Sequence, residues 1–220
     1  MAFGEWFLAS RALKLAVFLT GLIFVIFNIS FFSPYWLESY PDERLPEKPR
    51  KFLNLGLWHV CMDGYHDKSH QYEIKLYGCM HIRLEEYDFI RSEIQPPFFV
   101  ATQFFYTLSF IAILIAIILV LMYLLCVDDY YRVSVLRWTG IDLIVAGVLA
   151  NIAIVIFGVK GDSRDFMPDW ENNYLSWAFG LGCVGAVFDY IAGVLFIIEA
   201  RIIARKEIAR EQQYPMERKV

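Results

Sequence analysis

The sequence predicts a membrane α+β protein, with four transmembrane helices and a small β-layer between the first two. Three observations lead there. Of the 220 residues, 58% are hydrophobic and 17% aromatic, with a mean hydropathy of +0.44, and the apolar residues are gathered into blocks. Four of those blocks are long enough to cross a hydrocarbon core of roughly 30 Å, which takes about 20 helical residues. The polar segment between the first two alternates apolar and polar side chains as a half-buried strand does.

Residues 1–12 form an amino-terminal flank and "LKLAVFLTGLIFVIFNISFF" (13–32) the first span. Arg11 and Lys14 at its start imitate a secretory signal, but the apolar run is too long for one and no small-x-small cleavage site follows. Asn28-Ile29-Ser30 matches the glycosylation pattern inside this span, where no sugar is expected. A long loop (33–97) leads to the second span (98–126), a short loop (127–137) to the third (138–159), and another (160–173) to the fourth (174–198), before a tail (199–220). In the tail, "EARIIARKEIAREQQ" is expected to continue the last helix toward Pro215, its basic face suited to anionic lipid.

Charge sets the expected orientation, because Lys and Arg collect on the cytoplasmic side. The tail holds six Lys or Arg, Arg11 and Lys14 lie at the amino-terminal end of the first span, and the 127–137 loop has Arg132 and Arg137. The 160–173 loop has Lys160 and Arg164 beside Asp162, Asp165, Asp169 and Glu171. Both termini are therefore expected in the cytoplasm of a multi-pass plasma-membrane protein, with 33–97 and 160–173 outside.

The outer loop holds Cys61, Cys79 and all four histidines. In an oxidising compartment two nearby thiols favour a disulfide, and closing a loop of that length is worth about 3 kcal/mol. The rival is a metal quartet of His59, Cys61, Cys79 and His81, with His66 and His70 nearby, although zinc sites usually show CxxC or HxxxH spacings. No metal and no cofactor is expected. In "FLNLGLWHV" the side chains of Leu53, Leu55, Leu57 and His59 fall on one face. In "YEIKLYG" Tyr72, Ile74 and Leu76 oppose Glu73, Lys75 and Tyr77. Joined by "MDGYHDKSHQ", these read as a hairpin whose open end a Cys61–Cys79 bond would clamp. The preceding "YPDERLPEKPRK" reads as a charged, Pro-rich connector.

Trp36, then Gly56-Leu57-Trp58, then Cys61 and Cys79, set between two spans, resemble the W-GLW-C-C signature of the claudin superfamily. Span order and loop sizes agree over roughly residues 10–200. The resemblance implies a left-handed four-helix bundle with a small extracellular antiparallel sheet, one strand of it from the second loop, and a structural role for the six signature residues at the centre of that sheet. Trp36 and Trp58 also have rings suited to the membrane interface. Two features differ from vertebrate claudins. The 17 residues between the cysteines are more than is usual there, and "ERKV" has Arg218 where a PDZ ligand has Ser or Thr. The loop's departure suggests, by analogy, the septate-junction branch of invertebrates.

Within the membrane, Ala178, Gly182 and Ala186 with Gly185 and Gly193, and Gly140, Ala146, Gly147 and Ala150, mark faces for close helix packing, within the chain or between chains. Asp142 and Asp189 lie inside spans three and four, in the inner half of the bilayer, with no Lys or Arg in a span interior to pair them. A hydrogen-bonded or protonated structural role is expected. No Ser-His-Asp order, HExxH or phosphate loop is present, and no enzyme is expected. Cys126, at the end of the second span, is a candidate for palmitoylation.

Three function classes remain. A junction protein would bind copies of itself or other claudin-like and junction membrane proteins in cis and trans, with lipid but no nucleic acid as further partner. An auxiliary ion-channel subunit would grip a larger complex. A transporter would need a polar path that the spans do not supply. The 11 acids against eight Lys or Arg between residues 38 and 93 set no ion preference.

Overall fold

The computed structural model describes residues 10–40, 52–65, 76–84, 94–126, 128–161, 166–167 and 170–213. Four helices are long and apolar enough to cross a membrane: α1 (Arg11–Phe32), α2 (Pro97–Leu125), α3 (Arg132–Lys160) and α4 (Trp177–Gln213). The described residues also include five strands: β1 (Leu37–Ser39), β2 (Phe52–Leu55), β3 (His59–Tyr65), β4 (Leu76–His81) and β5 (Asn173–Leu175). The protein is a multi-pass four-helix membrane protein with an antiparallel sheet.

Local chemistry accounts for the helix ends. Ser10 caps α1, its Oγ accepting from the Leu13 amide at 3.0 Å, and Ser33-Pro34 follow its last turn. Pro97 opens α2 at the position where a missing N–H costs nothing. α3 starts six residues before the apolar block, at Arg132 rather than 138, because the polar turn "RVSVLR" carries a buried Leu136. α4 starts at Trp177, three residues after the apolar limit at 174, since Asn173–Leu175 are drawn into the sheet.

The chain packs as two compact units. The all-helical unit comprises residues up to Phe24, Ile111–Val148 and residues from Ala186 onward. Here α3 and α4 touch through their glycines: a Cβ on Gly140 would come 2.7 Å from the Gly193 carbonyl oxygen, and one on Gly193 2.8 Å from that of Gly140. Ser10 Oγ, at the start of α1, donates to the buried Glu199 carboxylate of α4 at 2.6 Å.

The sheet-bearing unit comprises Val25–Phe110 and Leu149–Gly185. Small residues again admit large neighbours: Gly185 faces the Phe27 ring, and Gly182 faces Tyr106 and Ser30. The small-residue face of α4 is thus occupied by packing within the chain.

All pairings in the sheet are antiparallel, in the order β4-β3-β2-β1-β5. Leu175, Leu37, Leu55, Val60 and Met80 lie in one transverse row, and Leu37, Leu55 and Val60 are fully buried. Because successive side chains alternate sides, the adjacent row, Tyr174, Glu38, Asn54, Cys61 and Cys79, lies on the opposite face.

The first predicted strand is corrected. "FLNLGLWHV" is two strands separated by a turn at Gly56, whose amide donates to the His59 carbonyl at 2.8 Å. The shared face expected for Leu53 to His59 is broken there. A Cβ on Gly56 would run into the Ser33 carbonyl oxygen and Pro34 Cα, so the close approach of the turn to the end of α1 requires glycine. Tyr72 to Lys75 and most of the charged connector (41–51) lie outside the described residues.

Candidate interaction surface

The signature residues form the seat of the sheet. Trp36, one residue before β1, is fully buried, and its Nε1 donates to the Ser30 carbonyl at 2.8 Å. Its ring stands edge-on to Tyr106 of α2 (4.9 Å), Phe157 of α3 (5.2 Å) and Phe179 of α4 (5.7 Å). An interface-anchoring role for Trp36 is therefore corrected: the indole is enclosed by rings from three helices and its polar atom is satisfied internally. Ser30 joins the same elements, its hydroxyl accepting from Tyr106 Oη at 2.9 Å and donating to the Ala178 carbonyl at 2.8 Å.

The Gly56-Leu57-Trp58 turn lies on this base. Leu57 is fully buried and its carbonyl accepts from Gln103 Nε2 of α2 at 2.6 Å. Trp58 packs against Phe31 of α1 at 5.5 Å, stacks on His81 at 6.2 Å, and has the Arg83 guanidinium 5.8 Å from its centroid. Neither Gln103 nor the ring cage around Trp36 was among the predicted site residues. The single signal for Gln103 was that it is the one amide in the second span; the cage rings are ordinary span residues.

Cys61 and Cys79 are bonded to each other, directly opposite across β3 and β4. The bond lies within the ladder, two pairs in from the open end of the hairpin at His59↔His81, with Val60↔Met80 between. Cys61 is buried and Cys79 exposed. With both sulfurs so engaged, neither is a thiolate ligand, and the quartet reduces to the imidazoles of His59 and His81, 5.5 Å apart and edge-to-face. His81 Nδ1 accepts from the Arg83 amide at 3.2 Å. Burial, and then the neighbouring His81, hold His59 below the usual imidazole value. His66 and His70 lie outside the described residues.

At the other edge, Glu38 binds β1 to β5. It accepts from Ser176 Oγ at 2.9 Å and from the Tyr174 phenol, whose ring stacks on Tyr40 at 4.0 Å. Burial and this carboxylate push the Tyr174 phenol up to about 12. The face bearing Glu38, Tyr174 and Cys79 thus presents hydroxyls, a carboxylate and a disulfide, with Tyr40 and Tyr77 each 56% exposed. Such a surface is suited to holding another protein by aromatic and polar contacts.

Of the remaining predicted residues, Asp142 and Asp189 belong to the all-helical unit, and Cys126 is an exposed free cysteine just after α2. Of the hydrogen-bonded or protonated role expected for Asp189, no hydrogen bond is found: it is fully buried, and neither carboxylate oxygen has a partner among the described residues.

Four apolar spans and a disulfide-bonded sheet seated on a Trp-centred cage define a tetraspan membrane protein with a structured loop layer. The model of the PMP-22/EMP/MP20/claudin tight junction family matches residues 20–198, and the chain belongs to that family. No curated protein matches it.

Proposed function

We propose that this chain is a claudin-like junction protein of the plasma membrane, with cytoplasmic termini, whose sheet binds copies of itself or related junction proteins in the same and the facing membrane, contributing to a paracellular barrier. The observation that carries this reading is the polar, tyrosine-bearing face of the sheet. It is held on the helices by Trp36 and the Gly56 turn rather than hung on a loose loop. Fixing a binding surface before contact removes ordering costs from association. Family membership and the absence of a recognised catalytic motif favour a non-enzymatic role.

The test is expression in contacting cells, measuring surface amount, enrichment at the contact and tracer flux between cells. Tyr40→Ala with Tyr77→Ala, both exposed and outside the buried core, should leave surface amount near wild type and abolish enrichment at the contact. Undiminished enrichment would overturn the reading. Purification from native membrane in stoichiometric complex with ion-channel subunits would point instead to an auxiliary role.

A further inference from the structure

Where the sheet meets the end of the first span, Trp58 gathers a cluster that the adhesive face does not use. Phe32, the last residue of α1, is 57% exposed, and its neighbour Phe31 packs on Trp58 at 5.5 Å. Residues 81–84, at the end of β4, are tied to the same tryptophan. The Ile82 amide donates to the Trp58 carbonyl at 3.0 Å, the His81 ring stacks on the indole, and the Arg83 guanidinium lies 5.8 Å from its centroid. His81 also fixes the backbone that follows it, its Nδ1 accepting from the Arg83 amide at 3.2 Å and its carbonyl from the Leu84 amide at 3.1 Å. Ile82 is buried, whereas Arg83 is exposed and Leu84 is 45% exposed.

Depth decides what meets these side chains. The 22 residues of α1 are about 33 Å long, close to the roughly 30 Å of a hydrocarbon core, so Phe32 marks one boundary of the hydrocarbon. Trp58 lies one ring contact beyond α1 and Arg83 one contact further. That is headgroup depth, since the polar region adds about 5–7 Å on each side. From Phe32 through Trp58 to Arg83 the order is apolar, aromatic, cationic, which is complementary to acyl chain, glycerol and phosphate. Contact with the ring holds the guanidinium through its charge, leaving its planar fork of N–H groups to donate as a pair to two phosphate oxygens.

We propose that Phe32, Trp58, Arg83 and Leu84 form a binding site for one phospholipid of the leaflet next to the sheet. Arg83 takes the phosphate, Trp58 covers the glycerol region, and Phe32 and Leu84 face the start of an acyl chain. His81 is a positioning residue, holding Arg83 in place. The site requires only that α1 crosses a membrane, so neither the junction reading nor the side on which the sheet lies enters it. Its consequence is a second attachment for the sheet. β1 and β5 are joined to α1 and α4 by the chain itself, while the far edge, β4, is held to the bilayer surface by lipid.

Photo-crosslinking of the full chain in liposomes tests this. Leu84 is replaced by its diazirine analogue, the chain is irradiated in vesicles of phosphatidylcholine or of digalactosyldiacylglycerol, which has no phosphate, and the adducts are identified by mass. In phosphatidylcholine the main adduct should be lipid, and Arg83→Gln in the same background should lower its yield severalfold. Arg83→Lys keeps the charge without the fork and should fall between; it also serves if Arg83→Gln lowers the unfolding temperature, which an exposed position should not do. In the galactolipid the yield should start low and Arg83→Gln should change it no further, which separates phosphate recognition from contact with any bilayer. Equal lipid yields in Arg83→Gln and the unchanged chain, equal yields in the two lipids, or adducts to a second copy of the chain in place of lipid would overturn the proposal.

Discussion

At Trp36 one side chain joins three helices to the sheet, and its replacement tests that role. Trp36→Ala removes the ring from a filled aromatic cage and should cost about 3–5 kcal/mol, seen as retention during export. Trp36→Phe keeps a ring but abandons the Ser30 carbonyl, and should cost about 1–3 kcal/mol by thermal unfolding in detergent. The burial of Trp36 was not legible in the sequence. Its position beside a span is what an interface anchor has, and the rings that enclose it lie on helices distant in the chain. The Cys61–Cys79 pair was legible, because topology and redox chemistry constrain two thiols in one outer loop whatever the sheet's details. His59 carries a pH dependence. Burial and His81 disfavour its protonated form, so the unfolded chain takes up the proton first. Stability is therefore lost as pH falls below the ordinary value of 6.5. Protease resistance of the sheet should decline from neutral pH through that value and decline less in His59→Gln.

Strands and helices are where sequence reading went furthest and also where it failed. Hydropathy found all four spans, since lipid demands about 20 apolar residues whatever the packing. It missed the turn at Gly56 because Leu53, Leu55 and Leu57 alternate straight through that position; the reversal is set by contact with Ser33 and Pro34, which no local pattern encodes. Changes at the disulfide and at the helix contact test these elements. Cys61→Ser and Cys79→Ser should each cost the hairpin about 2–5 kcal/mol, and the double change no more than either alone, since one bond is lost in all three; non-reducing gel mobility and surface amount report this. Gly193→Leu should separate α3 from α4, lowering the unfolding temperature by several degrees, and a compensating effect of Gly140→Leu is not expected because each backbone blocks the other.

For the molecule as a whole the outstanding expectation is sidedness. An epitope inserted between residues 41 and 51 should be reached by antibody on intact cells, while one after Val220 should need permeabilised cells; the reverse pattern would invert the assignment of the sheet to the outside. The linkages between strands and helices carry a mechanical consequence. β5 is separated from α4 by Ser176 alone, and β1 from α1 by residues 33–36, while the opposite edge strand β4 reaches α2 only after residues 82–96. Tension applied to the sheet therefore enters α1 and α4 almost without slack. A load borne along β1 and β5 is resisted in shear by three facing residue pairs and the Glu38 hydroxyl bonds acting together. A load on β4 would instead unzip its pairs one at a time, were Cys61–Cys79 not there as a covalent stop.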